Sequence, residues 1–138
     1  MSYLLDADTV IDYFAGREPA VTLVPRLQQD GIALSSLTLI ELYTGVYGGR
    51  NPRDAERQLR GLLRVAAVLP VNRRVIVQTA RLRSELLATK APIKHRAYDL
   101  LTAATALVYD LTLVTSNDRD FADIPGLRRL NPRTGQTW

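Results

Sequence analysis

Four side chains in this sequence have the type and position that hydrolytic or metal chemistry requires. Asp6 directly follows the first apolar segment, and Asn117 comes just after the last β-branched one. Glu41 lies inside an otherwise apolar helix-length stretch, where an unpaired carboxylate would be costly. Asp99 opens the most apolar helix-length stretch of the chain. Each of them alone is more simply a turn residue, a helix cap or the partner of an arginine, but together they need a common explanation.

A divalent cation bound between the acids would account for Glu41 and Asp99 at once. Converging carboxylates repel each other and hold raised pKa values unless a cation neutralises them. Oxygen ligands suit Mg²⁺ or Mn²⁺, and the chain has no cysteine and a single histidine for a softer metal. Such an ion polarises a phosphoryl oxygen and lowers the pKa of bound water. The sequence therefore favours hydrolysis of a phosphate ester.

Two other titratable residues close to these positions have simpler explanations. Asp8 is expected to cap a helix that starts near Thr9. The only histidine, His95, lies between Lys94 and Arg96, which favours a basic loop over a general base. Neither is assigned a part in the metal site.

The elements that position these residues follow from apolar periodicity and capping signals. Strands are predicted at residues 3–5, 32–34 and 111–115, and the segment 65–69 fits either a strand or a helix end. Helices are predicted over 10–14, 21–29 and 98–109, after a cap at Ser35 or Ser36, from Pro52 and after a cap at Asn72. Strands separated by helices imply an α/β fold with a mainly parallel sheet flanked by helices. The functional crevice of such folds lies beyond the carboxyl ends of the strands.

Length and composition exclude several classes of protein. The 138 residues are expected to form one domain, residues 1–138, with a single sizeable core. The lack of cysteine excludes a disulfide framework, thiolate zinc sites and a cysteine nucleophile. No apolar run approaches the roughly 20 residues of a membrane span, and the N-terminus has no signal-peptide pattern. We therefore expect a soluble, cytoplasmic protein.

Positive charge is concentrated in the middle of the chain. The net charge is +4, yet residues 50–96 alone carry ten arginines and two lysines against three acids. Arginine pairs bidentately with phosphate and carboxylate groups. Four of these arginines recur at helical spacing: Arg53, Arg57, Arg60 and Arg64. This arginine stripe predicts contact with a phosphate-bearing or acidic partner, although arginine-rich helices are more often solvated faces.

Four segments resemble the motifs of the PIN-domain nucleases and, within that family, of the VapC-type toxins of prokaryotic toxin–antitoxin pairs. The first is an apolar strand that ends in Asp6, and the second and third are helical segments built around Glu41 and Asp99. The fourth contains Asn117. They occupy residues 3–12, 34–45, 98–106 and 113–121, in family order and across nearly the whole chain. Each motif alone is weak, but four in register are specific.

The resemblance implies a PIN-like three-layer α/β sandwich with endoribonuclease activity that depends on Mg²⁺ or Mn²⁺. It also implies three partners, namely an RNA substrate, a cognate antitoxin protein and a second copy of the chain in a homodimer. Asp6, Glu41 and Asp99 match the acids that bind the metal in the family.

The fourth motif departs from the usual family pattern. Many members carry a fourth acid at the position of Asn117, although asparagine also occurs there, and Asp118 or Asp120 could complete the site instead. Thr115 matches a polar position near the metal, where it could orient water or serve the fold alone. The resemblance thus leaves the fourth position open.

Two alternative functions remain at this point. Asp6 and Asp8, with the segment 115–117, are similar to motifs of haloacid-dehalogenase-type phosphatases, in which Asp6 would be the nucleophile and Asp8 the general acid. Those enzymes need a lysine after the position of Asn117, and this chain has none there. The second alternative is a catalytically inactive PIN-like module that binds RNA or protein without cleavage.

Overall fold

Strands and helices alternate along residues 1–90, 96–135 and 137, which are the residues that the computed structural model describes. The strands are β1 (Tyr3–Leu5), β2 (Ile32–Ser35), β3 (Ala66–Leu69), β4 (Thr112–Val114) and β5 (Arg129–Leu130). The helices are α1 (Ala7–Phe14), α2 (Ala20–Gln28), α3 (Ser36–Gly48), α4 (Pro52–Leu63), α5 (Arg73–Ala88), α6 (Ala97–Val108) and α7 (Asp118–Phe121). None of these helices is long and apolar enough to cross a bilayer.

The strands form one parallel sheet in the order β3-β2-β1-β4-β5. Leu4 of β1 packs into a core with α5 and α6, whereas the adjacent Leu5 packs into a second core with helices α1 to α4. Successive side chains of a strand point to opposite faces, so the sheet is covered by helices on both sides. The prediction of a three-layer α/β sandwich with a mainly parallel sheet is confirmed.

Polar caps decide where the helices at the sheet edge begin. Asp6 caps α1 by accepting a hydrogen bond from the backbone N–H of Thr9 at 2.9 Å. Ser35 caps α3, and Asn72 caps α5, in the same manner. The capping role expected of Asp8 is therefore wrong, because α1 begins at Ala7, before Asp8.

The structure adds elements that periodicity did not predict. The ambiguous segment 65–69 contains a strand, β3, which pairs with β2. Helix α7 has four residues and strand β5 has two, and both are too short to show a repeat in the sequence. The basic loop expected around His95 lies outside the described residues.

Candidate active site

A cavity of about 170 Å³ lies at the carboxyl edge of the sheet, where β1 and β4 end. It brings together Asp6, Glu41, Asp99 and Asn117, which are remote from one another in sequence. The remaining lining residues are Ala7, Asp8, Thr38, Tyr98, Thr102 and Phe121. A larger groove of about 510 Å³ between α1, α2 and α4 is lined by no acidic side chain. The candidate chemistry therefore lies in the smaller cavity.

The Asp6 carboxylate is held in place by two threonines. It accepts a hydrogen bond from the backbone of Thr9 and another from the Thr115 hydroxyl. Thr115 is completely buried, and its oxygen also accepts the backbone N–H of Asn117 at 3.1 Å. Burial raises the pKa of Asp6 in spite of these hydrogen bonds, and the negative charge of Asp8 adds to the effect. Thr115 thus links the first and fourth motifs through one hydroxyl group.

Glu41 and Asp99 contribute to the same field of negative charge. Glu41 is exposed in the structure, so the burial expected from its apolar neighbours in sequence is wrong. Partial desolvation in the cavity wall still raises the pKa of Glu41, and the charges of Asp8, Asp6 and Asp99 raise it further. The pKa of Asp99 is raised by burial and then by Asp120, while Arg96 opposes the change. Like charges close together disfavour ionisation, so the cluster carries more negative charge than its protein surroundings neutralise.

The structure separates the two acids proposed for the fourth position. Asp120 accepts a hydrogen bond from Asn117 Nδ2 at 2.6 Å, and its negative charge raises the pKa of Asp99. Asp118 instead accepts a hydrogen bond from Asn131 Nδ2 at 2.8 Å and lies 3.5 Å from Arg129. Asp120 therefore belongs to the acidic cluster together with Asn117, whereas Asp118 is turned towards the C-terminal segment.

Arg96 joins the start of α6 to the segment that follows β4, although it was expected only in a basic loop. Its guanidinium donates to both carboxylate oxygens of Asp123, at 2.7 and 2.9 Å, and to the backbone carbonyl of Asp120 at 2.9 Å. Hydrogen bonding to Arg96 lowers the pKa of Asp123. Arg96 immediately precedes α6, so the ion pair fastens the start of this helix, with Asp99, to the segment that carries Asp120.

Asp8 is the other residue whose part in the site was missed. It lines the cavity, and its charge is the largest acidic contribution to the raised pKa of Glu41. The spacing of two residues between Asp6 and Asp8 could have pointed to this part, but a cap was the simpler interpretation of Asp8.

The donor set fits a hard divalent cation. Asp6, Glu41 and Asp99 offer oxygen ligands only, as Mg²⁺ and Mn²⁺ prefer. Among the described residues, no group of three or more acidic or histidine side chains converges closely enough to hold an ion as the side chains stand. A cation would therefore have to bind with the carboxylates closer together than they stand. The cluster is thus a pre-positioned ligand set and not a rigid cage.

The raised pKa values predict a pH-dependent stability in the absence of divalent cations. A carboxyl with a higher pKa in the folded than in the unfolded chain destabilises the fold as it ionises. The ordinary pKa values are 3.8 for Asp6 and Asp99 and 4.5 for Glu41, so the melting temperature in EDTA is expected to fall as the pH rises above this range. Saturating Mn²⁺ is expected to abolish this slope, because the cation stabilises the ionised carboxylates.

A matched pair of variants isolates the contribution of the cluster. In EDTA at pH 7, Asp99→Asn is expected to melt higher than the unmodified protein, by about 2–4 °C for each kcal/mol of repulsion removed. The exposed Asp54 lies outside the cluster, so Asp54→Asn should leave the pH slope unchanged. Thermal melts from pH 4 to pH 8 compare the variants, and an identical pH slope for Asp99→Asn and the unmodified protein would contradict this explanation.

Comparison with known proteins places this site in a family. The model of the PIN domain matches residues 3–127, so the chain belongs to the PIN domain family. A tRNA(fMet)-specific endonuclease VapC from Salmonella typhimurium is 29% identical over 131 residues, covering 93% of this chain and 96% of that protein. Ribonuclease VapC19 from Mycobacterium tuberculosis is 32% identical over 130 residues, covering 91% and 96%. These relatives place the chain among the VapC proteins.

Solved structures agree with this assignment. The chain is similar to a chain of the VapBC2 crystal structure from Rickettsia felis, with a TM-score of 0.83, 26% identity and coverage of 95% and 98% of the two chains. A toxin–antitoxin complex from Klebsiella pneumoniae matches with a TM-score of 0.73, 27% identity and coverage of 95% and 98%. The resemblance inferred from the four motifs is confirmed. The phosphatase alternative does not hold, because Asp6 shares its cavity with Glu41 and Asp99 on a PIN-domain chain.

Proposed function

We propose that this protein is a divalent-cation-dependent endoribonuclease and the toxin of a toxin–antitoxin pair. The observation that carries the proposal is the meeting of Asp6, Glu41 and Asp99 in one cavity at the carboxyl edge of a parallel sheet. Relatives of nearly equal length are named endonuclease and ribonuclease, so a hydrolytic site for RNA phosphodiesters is the activity that these acids support best. PIN-domain nucleases generally depend on a divalent metal, and we propose Mg²⁺ or Mn²⁺ for this chain.

Each residue of the site has a distinct part in the proposed reaction. When bound, the cation supplies a centre that polarises a phosphoryl oxygen and a water of lowered pKa. Asp6, Glu41 and Asp99 would hold it through their carboxylate oxygens. The Thr115 hydroxyl keeps the Asp6 carboxylate oriented by donating a hydrogen bond to it. Asn117 is held by Asp120 through its amide nitrogen, which leaves its amide oxygen to accept a hydrogen bond from water.

The partners follow from the same relatives. RNA is the substrate and a cognate antitoxin protein is the partner, as the sequence analysis predicted, because the relatives are ribonucleases and the similar structures are VapBC and toxin–antitoxin complexes. The homodimer stays a prediction. We also propose that the protein acts in the cytoplasm, where RNA and a newly made antitoxin are both present.

Cleavage of RNA by the purified full-length chain tests the proposed function. We expect cleavage in Mn²⁺ or Mg²⁺ that EDTA stops and excess Mn²⁺ restores, without hydrolysis of a generic phosphomonoester. Sequencing the new RNA ends would define the substrate. Binding of RNA without cleavage in Mn²⁺ would favour the inactive binding module, and phosphomonoester hydrolysis would contradict the assignment.

The arginine stripe on α4 provides a further prediction about RNA binding. Glu56 lies 3.4 Å from Arg60, and Asp54 lies 3.9 Å from Arg57, whereas Arg53 and Arg64 form no ion pair within the described part of the chain. Arginines that are not already neutralised by acids can bind RNA phosphates and release the counterions of those phosphates, which makes the binding depend on salt. If the stripe contacts the RNA backbone, replacing Arg53 and Arg64 together with glutamine should weaken binding independently of sequence and lower the salt slope by about one unit per lost contact.

The control for this prediction is the matched pair on the same helix. Replacing Arg57 and Arg60 with glutamine removes the same formal charge. These two arginines are already partly neutralised by Asp54 and Glu56, so the salt slope should change less. Fluorescence anisotropy across a salt series measures both variants. Unchanged slopes in both would mean that the stripe is a solvated face or a contact for the antitoxin.

A further inference from the structure

Tyr98 is the one aromatic hydroxyl-bearing residue that lines the acidic cavity in the part of the chain that the structure describes. It lies in the first turn of α6, directly before Asp99, and it is 57% exposed. Within the same described residues, its side chain forms no hydrogen bond and no ring contact. A large, exposed and unpartnered ring at the mouth of a cluster of carboxylates is therefore a feature that the fold itself does not require.

The size of the cavity separates what can enter it from what must stay outside. Its volume of about 170 Å³ is below the range of roughly 300–1,000 Å³ for pockets that enclose whole small-molecule ligands. A phosphate group with a few waters, each about 30 Å³, fits that space. The base attached to a phosphate in the cavity must consequently lie at the rim, which is where Tyr98 stands.

Charge also decides which part of a nucleotide the rim can bind. Asp8 and Glu41 on the cavity wall repel any phosphate that is not held by a cation. The neutral tyrosine ring attracts the flat face of a base through stacking, which works for every base and needs no positive charge. Thr102 lies four residues after Tyr98 on the same face of α6 and also lines the cavity, so this face is turned towards the cavity.

We propose that Tyr98 positions the RNA by stacking on the base next to the phosphate that is cleaved. This inference rests on the proposed function and assigns the substrate-binding rim of the same site. A stacked base fixes the strand on one side of the phosphate, and the acidic cavity holds the phosphate itself. Tyr98 would then select unpaired RNA, because a base inside a duplex cannot present its face to the ring.

Replacing Tyr98 provides the first arm of the test, measured on a short single-stranded RNA at saturating Mn²⁺. Tyr98→Ala is expected to raise KM about 10- to 100-fold, with little change in Mn²⁺ affinity. Tyr98→Phe keeps the ring, so its KM should stay close to that of the unmodified protein. Tyr47 is also a strongly exposed tyrosine, 69% accessible, but it lies outside the cavity and is stacked on Tyr43. Tyr47→Ala should therefore leave KM unchanged.

An abasic nucleotide beside the cleavage site provides the second arm. For the unmodified protein, KM should rise on the abasic RNA by as much as Tyr98→Ala raises it on normal RNA. For Tyr98→Ala, KM should be the same on the two RNAs. Equal KM values for Tyr98→Ala and the unmodified protein would overturn the inference. So would a Tyr98→Ala variant that binds the antitoxin less tightly while its KM for RNA is unchanged.

RNA binding measured in the Asp6→Asn background separates this inference from the proposed function. If the protein cleaves no RNA but Asp6→Asn binds it about 10-fold or more tightly than the Asp6→Asn, Tyr98→Ala double variant, the nuclease assignment fails and the stacking role holds. If the protein cleaves RNA and both binding and KM are unaffected by Tyr98→Ala, the nuclease assignment holds and the stacking role fails.

Discussion

Asp6→Asn and Asp99→Asn are each expected to lower the rate of metal-dependent RNA cleavage by at least about 10³-fold, because several kcal/mol of transition-state stabilisation come from a correctly held cation. Both residues line the cavity with Glu41, and asparagine keeps the shape of the side chain while removing its charge. Asn is also an effective helix cap, so Asp6→Asn should retain the hydrogen bond to Thr9 and the fold of α1.

The measurement is a single-turnover cleavage rate across a Mn²⁺ titration, together with circular dichroism to verify folding. Asp54→Asn is the matched control, because Asp54 is an exposed acid in the first turn of α4, away from the cavity. Full cleavage by a nuclease-free preparation of Asp6→Asn would remove Asp6 from the site and with it the proposed ligand set.

Asn117→Asp is expected to tighten Mn²⁺ binding by about ten-fold or more, in the range by which outer ligand partners tune metal affinity. The change adds a fourth carboxylate to a cavity that Asp6, Glu41 and Asp99 already line. It also replaces the hydrogen bond between Asn117 Nδ2 and Asp120, 2.6 Å long, with two negative charges in contact. The variant should therefore be less stable than the unmodified protein in EDTA and gain more stability from Mn²⁺.

Helix α4 offers a close match for this substitution. Asn51 Nδ2 donates to the carboxylate of Asp54 at 2.7 Å, with the same spacing of three residues, but on the surface and outside the cavity. Asn51→Asp makes the same chemical change and should leave Mn²⁺ affinity as it was. Isothermal titration with Mn²⁺ compares the two variants. Equal affinities for Asn117→Asp and the unmodified protein would show that position 117 does not face the cation, and Asp120 would then be the next residue to test.

Part of the site was predictable from where its polar side chains stand in the sequence. Asp6 and Asn117 follow strands directly, whereas Glu41 stood out only because its neighbours in sequence are apolar, and in the structure it is exposed. Parallel strands bring such positions to one edge without any further information. The ligand roles of these residues stay predictions, although their meeting in one cavity is a property of the structure.

Asp8 shows why a helix boundary limits what can be inferred from sequence. The expected start near Thr9 made Asp8 a cap, whereas the observed start at Ala7 places it in the first turn. Each residue of a helix turns the side-chain direction by about 100°. Because α1 begins about two residues earlier than expected, the side chain of Asp8 points in a different direction from that of a cap, and it lines the cavity.

The choice between Asp118 and Asp120 depends on the same geometry and on distant contacts. Both lie in α7, and two residues correspond to a rotation of about 200°, so the two carboxylates point in nearly opposite directions. Arg129 and Asn131 hold Asp118, and Asn117 holds Asp120. The partners of Asp118 lie 11 and 13 residues further along the chain, so no local pattern could have shown that Asp118 is held away from the cavity.

The sequence by itself determined the alternation of strands and helices, the cap at Asn72 and the position of Asp6 at a strand end, and it narrowed the cap of α3 to Ser35 or Ser36, because these depend on residues close together in the chain. Tertiary structure alone decided which neighbouring acids face the cavity, and it paired Arg96 with Asp123 across 27 positions of sequence. It also left Tyr98 exposed beside Asp99. The physical reason is that side-chain direction and ion pairing depend on how separate elements pack, and short-range periodicity carries no information about that packing.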